Sequence, residues 1–300
     1  MTKVEMTDFI CSSLINELDR LQPLKSIPKP LNISNKKRNI EGLSLVSDLQ
    51  VGHMSKTFNA DILRRRMEKL TREVISKVNI DRKTANISKI NIALLGDIVH
   101  GEKIGRTINL EEMEITLKHQ MFDVAIPLLA KYITTIAQHV EYVDVFCAWG
   151  NHGQAEKYNS KLTNWDLFIY EALKIYFKDN PRIKFTISDD FYMITEIKGQ
   201  RVMLTHGNAF RGALPYAGIN KKIHYWLESL GHFNYLFMGH FHSIFNLDIS
   251  NSCSMFCNGT FVTDDEWVLE NIGFTGSCKQ LYITFSHNRL EDIRQIYLGD

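Results

Sequence analysis

The chain has 300 residues, of which 44% are hydrophobic and 23% are charged. This composition is typical of a globular protein, and it excludes a disordered or a collagen-like chain. The 35 lysine and arginine residues almost balance the 34 aspartate and glutamate residues, so the formal net charge is only +1. A polyanion would therefore be bound by a local site and not by the overall charge of the molecule.

The cysteines and the N-terminal residues bear on where the protein is located. The five cysteines are scattered and odd in number, which indicates a reducing compartment and not a disulfide framework. We interpret Cys253 and Cys257 as small apolar residues, because a structural zinc site would need a second ligand pair nearby. No apolar run reaches the roughly 20 residues of a membrane span, and acidic residues interrupt the N-terminal segment where a signal peptide would be apolar. We expect a cytoplasmic protein that does not contact a membrane.

The first 40 residues differ from the rest of the chain. The apolar residues up to about residue 22 recur with helical spacing, and three of the six prolines follow between residues 22 and 39. Because proline lacks a backbone N–H and restricts the residue before it, this stretch is predicted to be a linker. Residues 1–40 are therefore predicted to form an N-terminal helix and linker, and residues 41–300 a single domain.

Short apolar runs alternate with amphipathic helices from Glu41 onwards, and the second half of the chain is richer in strands. The predicted helices lie near residues 59–78, 111–139, 163–179 and 217–230. In the first of them, Arg64, Arg65 and Arg66 are predicted to lie on a solvated face. Each sheet needs both of its faces covered, so this order of elements predicts two stacked mixed β-sheets with helices outside, an αββα sandwich.

Five of the predicted strands end in side chains that are typical of metal ligands. They are Asp48 in SDLQVGH, Asp97 in GDIVH, Asn151 and His152 in GNHG, His206 in THGN, and His240 with His242 in GHFH. Glycine directly precedes three of these residues, which permits tight turns at the strand ends. The carboxyl ends of strands in α/β sheets are where ligand crevices form, so we expect these side chains to converge. Each motif alone has a purely structural explanation, whereas all of them together at successive strand ends favour a shared site.

The order of these motifs resembles the calcineurin-like metallophosphoesterase family, whose motifs run DxH, GD, GNH, H and GHxH. The resemblance spans residues 46–242. It implies an αββα sandwich with two divalent metal ions. One ion would be bound by Asp48, Gln50, Asp97 and His242, and the other by Asp97, Asn151, His206 and His240. It also implies that His152 is catalytic and protonates or stabilises the leaving oxygen.

The ligand types agree with that implication. Carboxylate, amide and imidazole ligands without thiolate suit manganese, iron, zinc or magnesium, and we expect manganese. A shared carboxylate can bridge two ions that lie about 3.5 to 4 Å apart, and such a pair activates water for in-line attack on phosphorus.

The sequence departs from the family at two positions. Gln50 stands where the family has histidine, and Gly153 follows the GNH motif where the family often has an acidic residue. An amide oxygen is a weaker donor than imidazole, so this metal site is expected to bind loosely or to prefer a harder ion. His53 is an alternative ligand that a loop could present; otherwise it is a histidine behind the ligands or at the surface.

Two of the motifs indicate the substrate. SDLQVG and GDIVH resemble the SDxHxG and GDxFH motifs of SbcD-type and eukaryotic double-strand-break-repair nucleases. This resemblance makes His100 a second catalytic candidate and favours an exonuclease-like enzyme acting on phosphodiester bonds in DNA. Those nucleases carry a further DNA-binding cap and bind an ATPase, whereas only about 58 residues follow His242. An independent phosphoesterase of the kind common in bacteriophages is the nearer resemblance, and no ATPase partner is implied.

Other residues are candidates for contacts with substrate or with a second subunit. Asn208 and Arg211 follow the THG motif, and Arg211 is suited to bind a phosphate bidentately. The predicted helix near residues 217–230 has two possible roles. It either offers stacking and charged groups to the bases and phosphates of a nucleic acid or packs its aromatic residues inward. The residues concerned are Lys221, Lys222, His224, Tyr225 and Trp226. The acidic residues Asp264, Asp265 and Glu266 are predicted to lie at the surface or in a subunit contact, so a homodimer would form there or through the N-terminal helix.

Two other functions are consistent with the same motifs. A phosphatase or a cyclic-nucleotide phosphodiesterase would keep both metal ions but act on a small or protein substrate. A non-catalytic scaffold of the same fold would account for Gln50 and Gly153. The complete set of polar site residues favours catalysis, because a scaffold has no physical need to hold these groups together.

Overall fold

The computed structural model describes residues 27, 38–102, 113–154, 163–210, 216–263, 276–287 and 289–299. The predicted N-terminal helix, most of the linker, Arg211 and the acidic loop at residues 264–266 lie outside these residues.

The first half of the domain alternates strands with helices, as the sequence predicts. Its elements are β1 (Asn39–Val46), α1 (Ala60–Asp81), β2 (Asn86–Leu94), a π-helical segment (His119–Ala125), α2 (Ile126–Ala137), β3 (Tyr142–Cys147), α3 (Trp165–Tyr176) and β4 (Ile183–Ile187). The second half is richer in strands. It contains β5 (Tyr192–Ile197), β6 (Gln200–Thr205), α4 (Tyr216–Leu230), β7 (Tyr235–Met238), β8 (Phe245–Ser250), β9 (Cys253–Cys257), β10 (Lys279–Ser286) and β11 (Arg289–Tyr297).

The strands form two mixed sheets. The first sheet has the order β11-β10-β1-β2-β3-β4, with β1 to β4 parallel and the last two strands of the chain antiparallel. The second has the order β5-β6-β7-β9-β8, with parallel pairs β6–β7 and β7–β9 and an antiparallel strand at each edge. The turn between β5 and β6 consists of Lys198 and Gly199, both at positive φ, as expected for a tight hairpin.

Three apolar clusters separate four layers. Leu45, Ala93 and Leu95 of the first sheet pack against Leu204 and Phe237 of the second in the central cluster. A larger cluster lies between the first sheet and helices α1, α2 and α3, and a third joins the second sheet to α4. The predicted αββα sandwich is confirmed. Of the described helices, none combines the length and apolarity needed to cross a membrane.

Helix α1 is amphipathic, as the sequence predicts, but one of its three arginines is not where it was predicted to be. Asn59 caps the helix by accepting the N–H of Ile62 at 2.9 Å, and one apolar face is buried, formed by Leu63, Met67, Leu70, Val74 and Val78. The prediction that all three arginines face solvent is wrong for Arg66, which is 4% exposed. Its guanidinium donates to the backbone oxygen of Phe261 and to Thr263 Oγ1, so it joins α1 to the segment after β9.

The long helix predicted over residues 111–139 is shorter and less regular. Within the described residues it begins at residue 117 and ends at Ala137, and His119–Ala125 is π-helical. Pro127 follows this segment and lacks the N–H that a regular α-helix would use to bond the residue four positions earlier.

Candidate metal centre

The predicted ligands lie just beyond the carboxyl ends of five strands. Asp48 follows β1, Asp97 follows β2 and Asn151 follows β3, while His206 follows β6 and both His240 and His242 follow β7. Backbone hydrogen bonds hold neighbouring loops together, for example from the Asp48 N–H to the oxygen of Gly96 at 3.1 Å. The structure therefore brings ligands from both sheets to one region.

Four side chains form the first group. His206 Nε2 lies 2.9 Å from Asp97 Oδ2, 3.2 Å from Asn151 Oδ1 and 3.2 Å from His240 Nδ1. The other ring nitrogen of His206 lies 2.7 Å from the oxygen of Leu95, so it carries a proton and donates it. In a neutral ring, Nε2 then has only a lone pair. It faces two further acceptors, the side-chain oxygens of Asp97 and Asn151. Such a group of lone pairs needs a cation at its centre, and its geometry fits a metal ion.

The electrostatics of this group support that interpretation. Burial lowers the pKa of His206, but the charge of Asp97 and the hydrogen bond to it outweigh burial and raise the pKa to about 9. Burial and the charge of His206 lower the pKa of His240 to about 4. Without a metal ion, a proton on His206 thus supplies the positive charge that this group of ligands needs.

A second group contains Asp48, Gln50 and His242. His242 Nε2 lies 3.5 Å from Asp48 Oδ1 and 3.0 Å from Gln50 Nε2. Gln50 Oε1 is buried and has no hydrogen-bond partner. The two ends of a side-chain amide are assigned from their surroundings, and a half-turn would bring this oxygen beside His242. An unpaired buried carbonyl oxygen next to a carboxylate and an imidazole fits a hard divalent cation.

The backbone at these ligands adopts an unfavourable conformation. Of the described residues, six that are not glycine have positive φ, and five of them are predicted ligands. They are Asp48 (55°), Gln50 (44°), Asp97 (51°), His240 (75°) and His242 (53°). Each costs about 1 kcal/mol or more, and such strain clusters at functional sites. The fold therefore holds these five side chains in place against local backbone strain.

The catalytic candidates lie beside the first group. His152 Nε2 is 3.8 Å from Asp97 Oδ2, and the His152 N–H donates to Asp97 Oδ1 at 2.8 Å. His152 Nδ1 donates to the backbone oxygen of His100 at 3.2 Å, which directs Nε2 towards the ligands. The His100 ring is buried 5.5 Å from the His152 ring, and burial lowers its pKa to about 2. The His53 ring lies 4.8 Å from the His100 ring, and His53 does not belong to the group of Asp97, His206 and His240.

The predicted substrate contacts are only partly described. Asn208 is half-buried in the turn directly after His206, whereas Arg211 lies outside the described residues. On α4, Trp226 packs inward against Phe210 at 5.0 Å between rings, while Tyr225 remains 54% exposed with Lys221 over its ring. The inward-packing alternative is therefore correct for Trp226 but not for Tyr225.

Sequence reasoning missed Asp166 and Asn164 at the start of α3. Asp166 is completely buried and accepts backbone N–H groups from both the Asp97 and the Asn151 loops. Burial, followed by the charge of Asp97, raises the pKa of Asp166 to about 6. Asn164 also accounts for Gly153, because a Cβ there would lie 2.3 Å from Asn164 Oδ1. The only sequence indication was an asparagine and an acidic residue at a helix start.

The described cysteines behave as apolar residues. Cys147, Cys253, Cys257 and Cys278 are buried and form no disulfide. Within the described part of the chain, one group of three or more histidine, cysteine and acidic side chains is close enough to share an ion, and it consists of Asp97, His206 and His240.

Comparison with known proteins yields structural similarity alone. The sequence matches no protein-family model and no curated protein. The structure is similar to a predicted phosphoesterase from Streptococcus pneumoniae TIGR4 (TM-score 0.39, 11% identity, 86% of this chain and 90% of that chain). It is also similar to vacuolar protein sorting 29 from Cryptosporidium parvum (0.39, 12%, 86% and 99%) and to a 5'-nucleotidase from Candida albicans SC5314 (0.39, 13%, 91% and 54%). At this level of similarity, any functional assignment depends on the side chains of the site.

Proposed function

We propose that the protein is a metal-dependent phosphoesterase that hydrolyses phosphodiester bonds in nucleic acid. One observation carries this proposal: acidic, amide and imidazole side chains from five strand ends converge, with His206 Nε2 within 3.2 Å of Asp97, Asn151 and His240. Ligands of this kind without thiolate suit manganese, iron, zinc or magnesium, and we propose manganese.

The residues have distinct roles in this proposal. Asp97, Asn151, His206 and His240 would hold one ion, and Asp48, Gln50 and His242 the other, with Asp97 shared between them. Bound ions would supply Lewis acidity to the phosphate oxygens and activate water near neutral pH. His152 Nε2 would donate a proton to the leaving oxygen, while its Nδ1–H bond to His100 fixes the orientation of the ring. His100 would therefore act through His152.

We further propose that the substrate is DNA. The GDIVH motif resembles that of DNA-repair nucleases, which favours phosphodiester bonds in DNA. The exposed Tyr225 and Lys221 on α4 offer a stacking surface and a positive charge after the His206 loop. Asn208, with Arg211 beyond the described residues, would contact a phosphate next to the scissile one.

The experiment is manganese-dependent hydrolysis of end-labelled single- and double-stranded DNA, beside bis-p-nitrophenyl phosphate. The wild type should degrade DNA, and His152→Ala should bind manganese normally but lose at least about 100-fold in turnover. His119→Ala is a matched control, because His119 is exposed and lies outside both ligand groups. Cleavage of only the small diester, or of a phosphomonoester or cyclic nucleotide, would refute the nucleic-acid substrate. Unchanged turnover of His152→Ala would refute its catalytic role.

A non-catalytic scaffold is the second candidate, and Gln50 favours it. Its amide lies beside His242, with Nε2 at 3.0 Å from His242 Nε2, and an amide oxygen binds a metal ion more weakly than an imidazole would. Stoichiometric metal binding without hydrolysis of any phosphoester would support the scaffold and refute the enzyme.

A further inference from the structure

Asp166 lies behind the candidate metal centre and not within it. Its side chain is completely buried at the start of α3. Asp166 Oδ2 accepts the N–H of Asp97 at 2.9 Å and the N–H of Gly150 at 2.9 Å, and Oδ1 accepts the N–H of Ile98 at 3.1 Å. One carboxylate thus joins the loop after β2 to the loop after β3.

This arrangement requires a carboxylate. Three N–H donors converge on two oxygens, and both oxygens must act as acceptors. An asparagine at this position would offer one oxygen and would turn its NH₂ group towards at least one backbone N–H. That contact would leave a buried donor without a partner, which costs about 1 to 3 kcal/mol.

Asn164 fixes the orientation of this carboxylate. Its Oδ1 accepts the N–H of Asp166 at 2.9 Å, and its Nδ2 donates to the oxygen of Gly150 at 2.7 Å. The start of α3 therefore contacts the loop that carries Asn151 through both residues. Because the helix is anchored in the apolar cluster beneath the first sheet, the two ligand loops are tied to a rigid element.

We propose that Asp166 is a positioning residue that sets the separation of Asp97 and Asn151 and thereby the metal affinity of the first ligand group. This inference rests on the proposed metal centre. It differs from the roles assigned above, because Asp166 binds neither metal nor substrate. Side chains that orient metal ligands from behind typically change metal affinity by 10- to 100-fold when they are replaced.

The test compares Asp166→Asn with Asp81→Asn by calorimetric titration with Mn²⁺ in the absence of substrate. Asp81 is also a buried carboxylate, but it pairs with Arg294 away from the ligands, so it controls for loss of a buried charge. Asp166→Asn should bind manganese at least about tenfold more weakly. Asp81→Asn should unfold at a lower temperature with unchanged metal affinity. Wild-type affinity in folded Asp166→Asn would overturn the positioning role and leave the metal centre intact.

A measurement on the wild type covers the case in which Asp166→Asn does not fold. Amide hydrogen exchange of the metal-free protein should show slow exchange at Asp97, Ile98 and Gly150, because Asp166 accepts all three N–H groups without any ion. Fast exchange at these amides that becomes slow only with Mn²⁺ would overturn the proposal. A wild type that binds no Mn²⁺ would refute the metal centre itself, and the positioning role with it.

Discussion

Gly150 offers the sharpest test of how closely the ligand loops are packed. A Cβ at this position would lie 2.1 Å from Asp97 Oδ1 and 2.3 Å from the Asp97 backbone nitrogen. Ordinary van der Waals contact begins at 3.4 Å, so Gly150→Ala must displace the Asp97 carboxylate, or the loop that carries it, by about 1.3 Å. Asp97 Oδ1 also accepts the N–H of His152 at 2.8 Å, so the same displacement disturbs the catalytic candidate.

Two magnitudes follow from that displacement. Overpacking of this kind costs about 1 to 3 kcal/mol of folding free energy. A misplacement of about 1 Å at a catalytic group costs on the order of 100-fold in turnover. Gly150→Ala should therefore fold, unfold at a lower temperature, bind Mn²⁺ weakly and hydrolyse bis-p-nitrophenyl phosphate at about one hundredth of the wild-type rate.

Gly218→Ala is the matched control. Gly218 lies in α4, and a Cβ there would have no heavy atom within 4 Å. Alanine is favoured over glycine in a helix by about 0.5 to 1 kcal/mol, so this variant should be slightly more stable and fully active. Full activity and wild-type metal affinity in Gly150→Ala would refute the reasoning, because they would mean that Asp97 need not occupy the observed position.

Three further predictions follow from the same structure. Gln50→His should increase manganese retention after gel filtration, measured by elemental analysis, because an imidazole is a stronger ligand than an amide oxygen; reduced retention would mean that position 50 does not face the ion. Arg66→Met should lower the free energy of unfolding in urea by about 2 kcal/mol, because it leaves the Phe261 oxygen without its charged donor. Arg64→Met on the exposed face should change this free energy by at most about 0.5 kcal/mol, and equal effects of the two variants would contradict the role of Arg66. Mn²⁺ added to chelator-treated protein at 100 times its dissociation constant should stabilise the fold by about 2.7 kcal/mol, measured as a rise in melting temperature. His206→Ala should lack this rise, and an equal rise in that variant would place the ion elsewhere.

The alternation of strands and helices and the strand-end positions of the candidate ligands were accessible from the sequence for a physical reason. Buried strands appear as short apolar runs, and the polar residue that ends each run marks the carboxyl edge of a sheet. Asp48, Asp97 and His206 each occupy such a position, so their convergence followed from the alternation of strands and helices.

The features that were missed depend on tertiary contacts. Asp166 lies 69 residues from Asp97 in the chain, and nothing near it in the sequence indicates which loop its carboxylate would meet. Arg66 is one of three consecutive arginines, and only the segment after β9 distinguishes it from its neighbours. The π-helical segment depends on backbone hydrogen bonds before Pro127 that periodicity does not reveal.

The measurement that tests the central claim most directly is anomalous X-ray scattering from crystals of the protein soaked in Mn²⁺. Two peaks about 3.5 to 4 Å apart should appear, one in contact with Asp97, Asn151, His206 and His240 and the other with Asp48, Gln50 and His242. Peaks elsewhere, or none at saturating Mn²⁺, would contradict the account of this site as a metal centre.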